Sequence, residues 1–157
     1  LRLAVDALGA AARNPPIRDL MREVVDVTRE SCNLGVMDDH TVLYLERVEC
    51  DWPLRMQLQA GSRVPLHCTA AGKLLLAQMP AARRSRLIGL LRLDRHTVNT
   101  LVTPEALDAE CVSIRQRGFS VNREEYHLGL IGVAVPVRRA DGLAVAALSI
   151  HAPVFRM

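Results

Sequence analysis

Apolar residues open the chain at helical spacing, at Leu1, Val5, Leu8 and Ala12. Asn14-Pro15-Pro16 breaks that run. Pro16 suits the first turn of a second helix, where a missing N–H costs nothing. Ile17, Leu20, Met21, Val24 and Val27 predict one apolar stripe on that helix, which runs to about Ser31. The period then falls to two. Residues 33–37 predict a short strand, Asp38-Asp39-His40 a turn, and 41–48 an alternating strand rich in β-branched residues. Residues 54–58 predict a third strand, closed by Gly61. The stretch 69–79 is apolar nearly all round, as a buried helix is. Pro80 starts a more basic helix to about Leu93. Thr103-Pro104-Glu105 pairs a capping hydroxyl with proline at the first helical position. Leu107, Cys111 and Ile114 form the buried stripe of that helix, and Gly118 ends it. Three more strands follow, at 119–122, 130–137 and 143–151, with Asp141-Gly142 turning between the last two. Helices, a meander, central helices and more strands predict an α+β domain: an antiparallel sheet with helices packed on it.

Composition narrows the function classes. A chain of 157 residues fits one core. Hydrophobic residues at 50% and charged residues at 24% are ordinary for a soluble domain. Aromatics at 3% are too few for a platform on which single-stranded nucleic acid stacks. The net charge of +3 is spread out. Its densest cluster is Arg83, Arg84 and Arg86, followed by Arg138 and Arg139, and both read as solvated surface rather than a phosphate-binding face. Cys32, Cys50, Cys68 and Cys111 form no C-x-x-C and no metal-ligand spacing. They read as reduced, mostly buried thiols of a cytoplasmic protein. No apolar run reaches the ~20 residues that span a bilayer, and no signal peptide is visible. These features imply no cofactor, no metal and no membrane partner.

Side chains alternate across a strand, so the last strands can be read by face. One face of 130–136 carries Gly132 and Ala134, one face of the final strand Ala147, Ser149 and His151, and one face of the strand before them Ser120 and Asn122; if these sets face the same way, they leave space above the sheet. The opposite faces carry Ile131, Val133, Val135, Leu148 and Ile150 and look like core. Small residues with a few polar groups over a sheet make either a ligand cavity or a seat for a close-packed helix. A second feature is the run from Val64 to Lys73, where small residues open a helix. The exposed N–H groups of Ala70 and Ala71 and the helix dipole favour an anion there. A phosphate loop is excluded, because His67 and Leu74 stand where it needs glycine and a hydroxyl. Catalytic readings are weak. Ser149 and His151 share a strand face without a nucleophile elbow or a third partner. Glu124 and Glu125 read as solvated turn carboxylates, and His67 as a structural histidine. Cys68 beside His67 is a poor nucleophile pair, because sequence neighbours seldom meet productively.

Several stretches together resemble the IclR family of bacterial transcriptional regulators. They are Gly61-x-x-x-Pro65-Leu66-His67-x-Thr69-Ala70-x-Gly72-Lys73-x-x-Leu76-Ala77, then Gly118-Phe119-Ser120-Val121-Asn122-Arg123-Glu124-Glu125, Gly129, Ala134-Val135-Pro136-Val137, Ala146-Ala147-Leu148-Ser149 and Ala152-Pro153. They span nearly the whole chain in the family's order. The resemblance implies a profilin-like or GAF-like effector-binding domain over residues 15–157. It implies that 1–14 is the end of a helix linking to an N-terminal winged helix-turn-helix, and that the family's closing helix follows Arg156. The family forms homodimers and tetramers and reaches DNA only through the N-terminal domain.

The resemblance also implies an effector pocket over the sheet, against the helix that starts near Ala70. Its residues here are Met56, Ala70, Ala71, Asn122, Gly132, Ser149 and His151. Gly132 stands where cysteine is frequent, Asn122 where an acid is frequent, and His151 where serine is common. Glycine would enlarge the site and histidine would add a ring donor or cation, so the expected effector is a small organic acid with room for an aromatic ring. The competing reading is a small-molecule hydrolase on the same scaffold, using Cys68 or Ser149.

Overall fold

The computed structural model describes residues 15–52 and 58–156. The expected helix at the start of the chain, and all of the expected strand at 54–58 except Leu58, lie outside these residues. Leu58 itself is not in a strand.

Helix α1 spans Pro15–Thr28 and leads into β1 (Cys32–Asp38) and β2 (Thr41–Val48). A short β3, Arg63–Pro65, follows, then α2 (Ala70–Gln78), α3 (Ala81–Ile88) and α4 (Pro104–Arg117). Strands β4 (Ser120–Arg123), β5 (Leu130–Arg138) and β6 (Ala144–Pro153) complete the order. The six strands form one sheet in the order β3-β2-β1-β6-β5-β4. Every pairing is antiparallel. The α+β architecture is therefore as expected.

The sheet separates two cores. On one face α1 packs Met21 and Val25 against Cys32, Leu34, Val36 and Val48, with Leu148 and Ile150 beside them. The expected stripe on α1 is only partly right. Leu20 and Val27 are exposed, because a helix lying on one flat face buries a narrow band centred on Met21 and Val25. Val135 is also exposed, so β5 carries less core on this face than its bulk suggests.

On the other face α2 is the central element. Its residues Ala70, Ala71, Leu74 and Leu76 join Val42, Tyr44, Ala134 and Ala147, and α4 adds Leu107, Cys111 and Ile114. Thr69 caps α2 by accepting from Gly72 N at 3.1 Å. A Cβ on Gly72 would overlap the carbonyl of Leu66, so only glycine lets this helix sit so close to the chain that leads into it. Thr103 caps α4 and Gly118 closes it, as the sequence predicts. Helix α3 stops at Ile88, well short of Leu93, because the chain turns at Gly89.

A bulge decides which side chains reach the α2 face. Gly35 pairs with Tyr44 but Leu34 pairs with Glu46, so β2 holds one extra residue, Leu45. Strict alternation from Val42 and Tyr44 would bring Glu46 to that face. The bulge brings Arg47 instead, and sends Glu46 to the α1 side, where Arg18 lies 3.4 Å away.

Candidate functional site

Strand register lays the expected residues side by side. Ser120 pairs with Ala134, Ala134 with Ser149, Ser149 with Asn33, and Asn33 with Arg47. One step along, Asn122 pairs with Gly132 and Gly132 with His151. Ala70, Ala71, Asn122, Gly132 and Ser149 are all buried, and His151 is partly exposed. Met56 lies outside the described residues. Of two buried hydroxyl oxygens on this face, Ser120 Oγ has no hydrogen-bond partner, and Ser149 Oγ has only the Tyr44 hydroxyl beside it, beyond normal hydrogen-bond distance. An unpaired buried hydroxyl costs free energy, so such groups in folded proteins call for a reason. Above them lies the start of α2. Thr69 satisfies Gly72 N, and the first two amides, Ala70 and Ala71, precede any carbonyl the helix could offer them.

A polar chain runs beside the hydroxyls. Arg47 Nη1 donates to Asn33 Oδ1 at 2.6 Å. Asn33 Nδ2 lies 3.2 Å from His151 Nδ1. Because Asn33 spends its oxygen on Arg47, its NH₂ donates and His151 Nδ1 accepts, which leaves the proton on Nε2. Burial, with the Arg47 charge adding to it, holds the His151 pKa down to about 4. The imidazole is thus neutral at physiological pH: a donor, but not the cation that was the other expectation. The cation on this face is Arg47, only 8% exposed. Burial pushes the nearby Tyr44 phenol up to about 12, so its hydroxyl keeps its proton.

Gly132 does not simply enlarge the site. A Cβ at this position would lie 2.6 Å from Cδ2 and 3.2 Å from Nε2 of His151, so the ring takes up the space that glycine leaves. Asn122 is partly committed, since its Oδ1 accepts from Glu125 N at 2.8 Å.

Two charge readings are corrected. Glu125 is not solvated. It is 6% exposed and pairs with Lys73, itself 1% exposed, at 2.5 Å. Lys73 Nζ also donates to Val121 O at 2.9 Å, which ties α2 to β4. Arg84 is likewise buried rather than solvated and bonds Asp108 on α4 at 2.7 Å. Sequence reasoning missed Asn33, Arg47 and Tyr44. The bulge hides Arg47, and a lone asparagine in an apolar strand carries no signal of its own.

The hydrolase reading lacks its chemistry. Burial and the Glu125 charge push the Cys68 thiol up to about 12, far from an activated thiolate. Ser149 Oγ has no hydrogen-bonded base. All four cysteines are buried and unpaired, as expected. Among the described residues, no helix is long and apolar enough to cross a membrane.

Residues 11–157 match the family model for the bacterial transcriptional regulator IclR C-terminal domain. The chain belongs to the IclR family. It is 47% identical over 156 residues to the probable transcriptional regulator SauR of Cupriavidus necator, covering 99% of this chain and 62% of that protein. Against other curated IclR-family relatives the chain spans about half their length. Among solved structures, the PobR inducer-binding domain of Acinetobacter, a double mutant in complex with 3-hydroxybenzoic acid, has a TM-score of 0.82 at 27% identity. That match covers 88% of this chain and 82% of that one. An IclR homologue of Microbacterium hydrocarbonoxydans complexed with 4-hydroxybenzoate has a TM-score of 0.77 at 29% identity, covering 85% of this chain and 55% of that one. The relatives are named transcriptional regulators or repressors, and the part of the family that this chain matches is its C-terminal domain.

Proposed function

We propose that this domain senses a small organic acid held between the start of α2 and the face of β4, β5 and β6. The observation that carries the proposal is the pair of buried hydroxyls on the sheet face that α2 covers, Ser120 without a partner and Ser149 with only the Tyr44 hydroxyl beside it. The helix start offers the amides of Ala70 and Ala71 to a carboxylate. The Nε2–H of neutral His151 and the Nδ2 of Asn122 supply further donors. The buried Arg47, whose Nε pairs with the half-exposed Glu49 at 3.4 Å and whose Nη1 holds Asn33, adds positive charge beside the site. The two neighbouring structures that hold hydroxybenzoates support an aromatic acid.

The response passes to DNA through an N-terminal winged helix-turn-helix in the full-length, cytoplasmic regulator. Effector binding couples to DNA only if it favours one arrangement of paired domains over another, which fits a homodimer or tetramer. Calorimetry of aliphatic and aromatic carboxylates beside their amides tests the reading. At least one acid should bind while its amide does not. Amides that bind as tightly as the acids would overturn it.

A further inference from the structure

The sequence offers no metal-ligand spacing, yet the fold assembles three donors from two segments. His67 and Cys68 precede α2, and His96 comes from the loop after α3. One ligand atom from each lies within 4.8 Å of the other two. We propose that His67, Cys68 and His96 form a binding site for a divalent transition metal ion, with zinc the ion that suits them best.

Three observations carry this. The first is spacing. Zinc bonds histidine nitrogen at about 2.0–2.1 Å and thiolate sulfur at about 2.3 Å, so tetrahedral ligands stand roughly 3.3–3.8 Å apart. The three donors need move inward by only about 1 Å to meet that geometry. The second is the partner of His67. Its Nε2 lies 3.0 Å from the carbonyl oxygen of Asp94. A carbonyl only accepts, so Nε2 carries the proton and Nδ1 keeps its lone pair. A metal-ligating histidine typically has its other ring nitrogen held in this way. The third is that the loop bearing His96 is fastened. Thr97 Oγ1 donates to Glu124 O at 2.6 Å, and Thr100 Oγ1 donates to Glu125 O at 2.7 Å and accepts from His96 N at 3.0 Å. The same turn places Tyr126 edge-on against His96, with centroids 5.0 Å apart. It also carries Glu125, which is paired with Lys73 and whose second carboxylate oxygen, Oε2, is buried without a hydrogen-bond partner.

Two nitrogens and one sulfur suit zinc, whereas magnesium and calcium require oxygen. His96 is exposed, which leaves the fourth position to water. Binding releases the Cys68 thiol proton to solvent, so affinity rises with pH.

The test uses the chain freed of metal and held reduced. Cobalt(II) should give one-to-one binding and a thiolate-to-cobalt absorption band, and zinc should displace it. Cys68→Ser should abolish the band. His96→Ala, a change at an exposed side chain, should weaken zinc binding at least tenfold against a competing chelator, with the circular dichroism spectrum unchanged. The proposal fails if the wild-type chain shows no thiolate band with cobalt, or if His96→Ala binds zinc as well as wild type. The wild-type measurement stands even if Cys68→Ser does not fold.

Discussion

The imidazole of His151 lies where a side chain on Gly132 would begin. The two residues are direct partners across β5 and β6, and a Cβ on Gly132 would stand 2.6 Å from the ring. They therefore act as one unit: a larger residue at 132 is tolerated only with a smaller one at 151. Gly132→Ala should destabilise the domain by about 1–3 kcal/mol, the usual range for overpacking a filled site. In a His151→Ala background the same change should cost clearly less, though not nothing, because the new Cβ would still lie 3.2 Å from the Ile150 carbonyl oxygen. Denaturant unfolding of the four proteins measures the coupling. Simple additivity of the two changes would show that the contact carries no weight.

His151 also sets a pH dependence. Its folded pKa of about 4 lies below the ordinary histidine value of 6.5, so the unfolded chain binds the proton more tightly. Stability from this group is present above pH 6.5 and is lost as pH falls toward 4. Between pH 7 and pH 5 the loss should be about 2 kcal/mol. His67, also shifted down by burial, acts in the same direction. His151→Gln keeps a polar side chain without the titration. Its stability should fall less than that of wild type over this interval, by about the stated amount, in paired urea titrations. Parallel pH profiles would contradict a neutral imidazole held between Asn33 and the Arg47 charge.

The Lys73–Glu125 pair fastens α2 to the turn after β4, and neither partner reaches water freely. Removing one partner of a buried pair strands the other, at a cost of about 3–5 kcal/mol. Lys73→Met should therefore be severely destabilising. Lys73→Met with Glu125→Gln should recover at least half of that loss, since glutamine can still accept from Arg123 N, now 3.2 Å from Glu125 Oε1. Thermal unfolding of both variants decides this. A double variant no more stable than Lys73→Met would mean that packing, rather than stranded charge, sets the cost.

Much of this was legible in the sequence, for physical reasons that differ by element. The period-two strands at the end of the chain and the capped helix from Thr103 carry local signals, and they appear within a residue or two of where those signals put them. Alternation gives the small-residue sets Gly132 with Ala134 and Ala147 with Ser149 strand by strand, and the pairing of β5 with β6 puts them on one face. Arg47 was hidden because one inserted residue, Leu45, reverses the faces of the strand after it. Lys73 and Glu125 were hidden because a charge next to glycine or in a turn looks solvated until its partner, 52 residues away, is known. The His67, Cys68 and His96 cluster has the same character, since its spacing exists only in three dimensions.

Ser149 separates a binding role from a structural one by the sign of two measurements. Its buried hydroxyl has only a long contact to the Tyr44 hydroxyl, so Ser149→Ala removes a desolvated polar group without breaking a hydrogen bond of normal length. Unliganded stability should stay the same or rise by up to about 1 kcal/mol. When a carboxylate is bound, the same hydroxyl can donate to a charged oxygen, an interaction worth about 1.5–3 kcal/mol. Acid affinity in Ser149→Ala should therefore fall about tenfold to 100-fold. Benzoate and its hydroxylated forms serve as probes for calorimetry, and thermal unfolding without ligand supplies the second axis. Weaker binding together with equal or higher stability is the signature of a group kept for its ligand. Loss of stability with unchanged affinity would instead make Ser149 part of the packing and move the carboxylate elsewhere on the sheet.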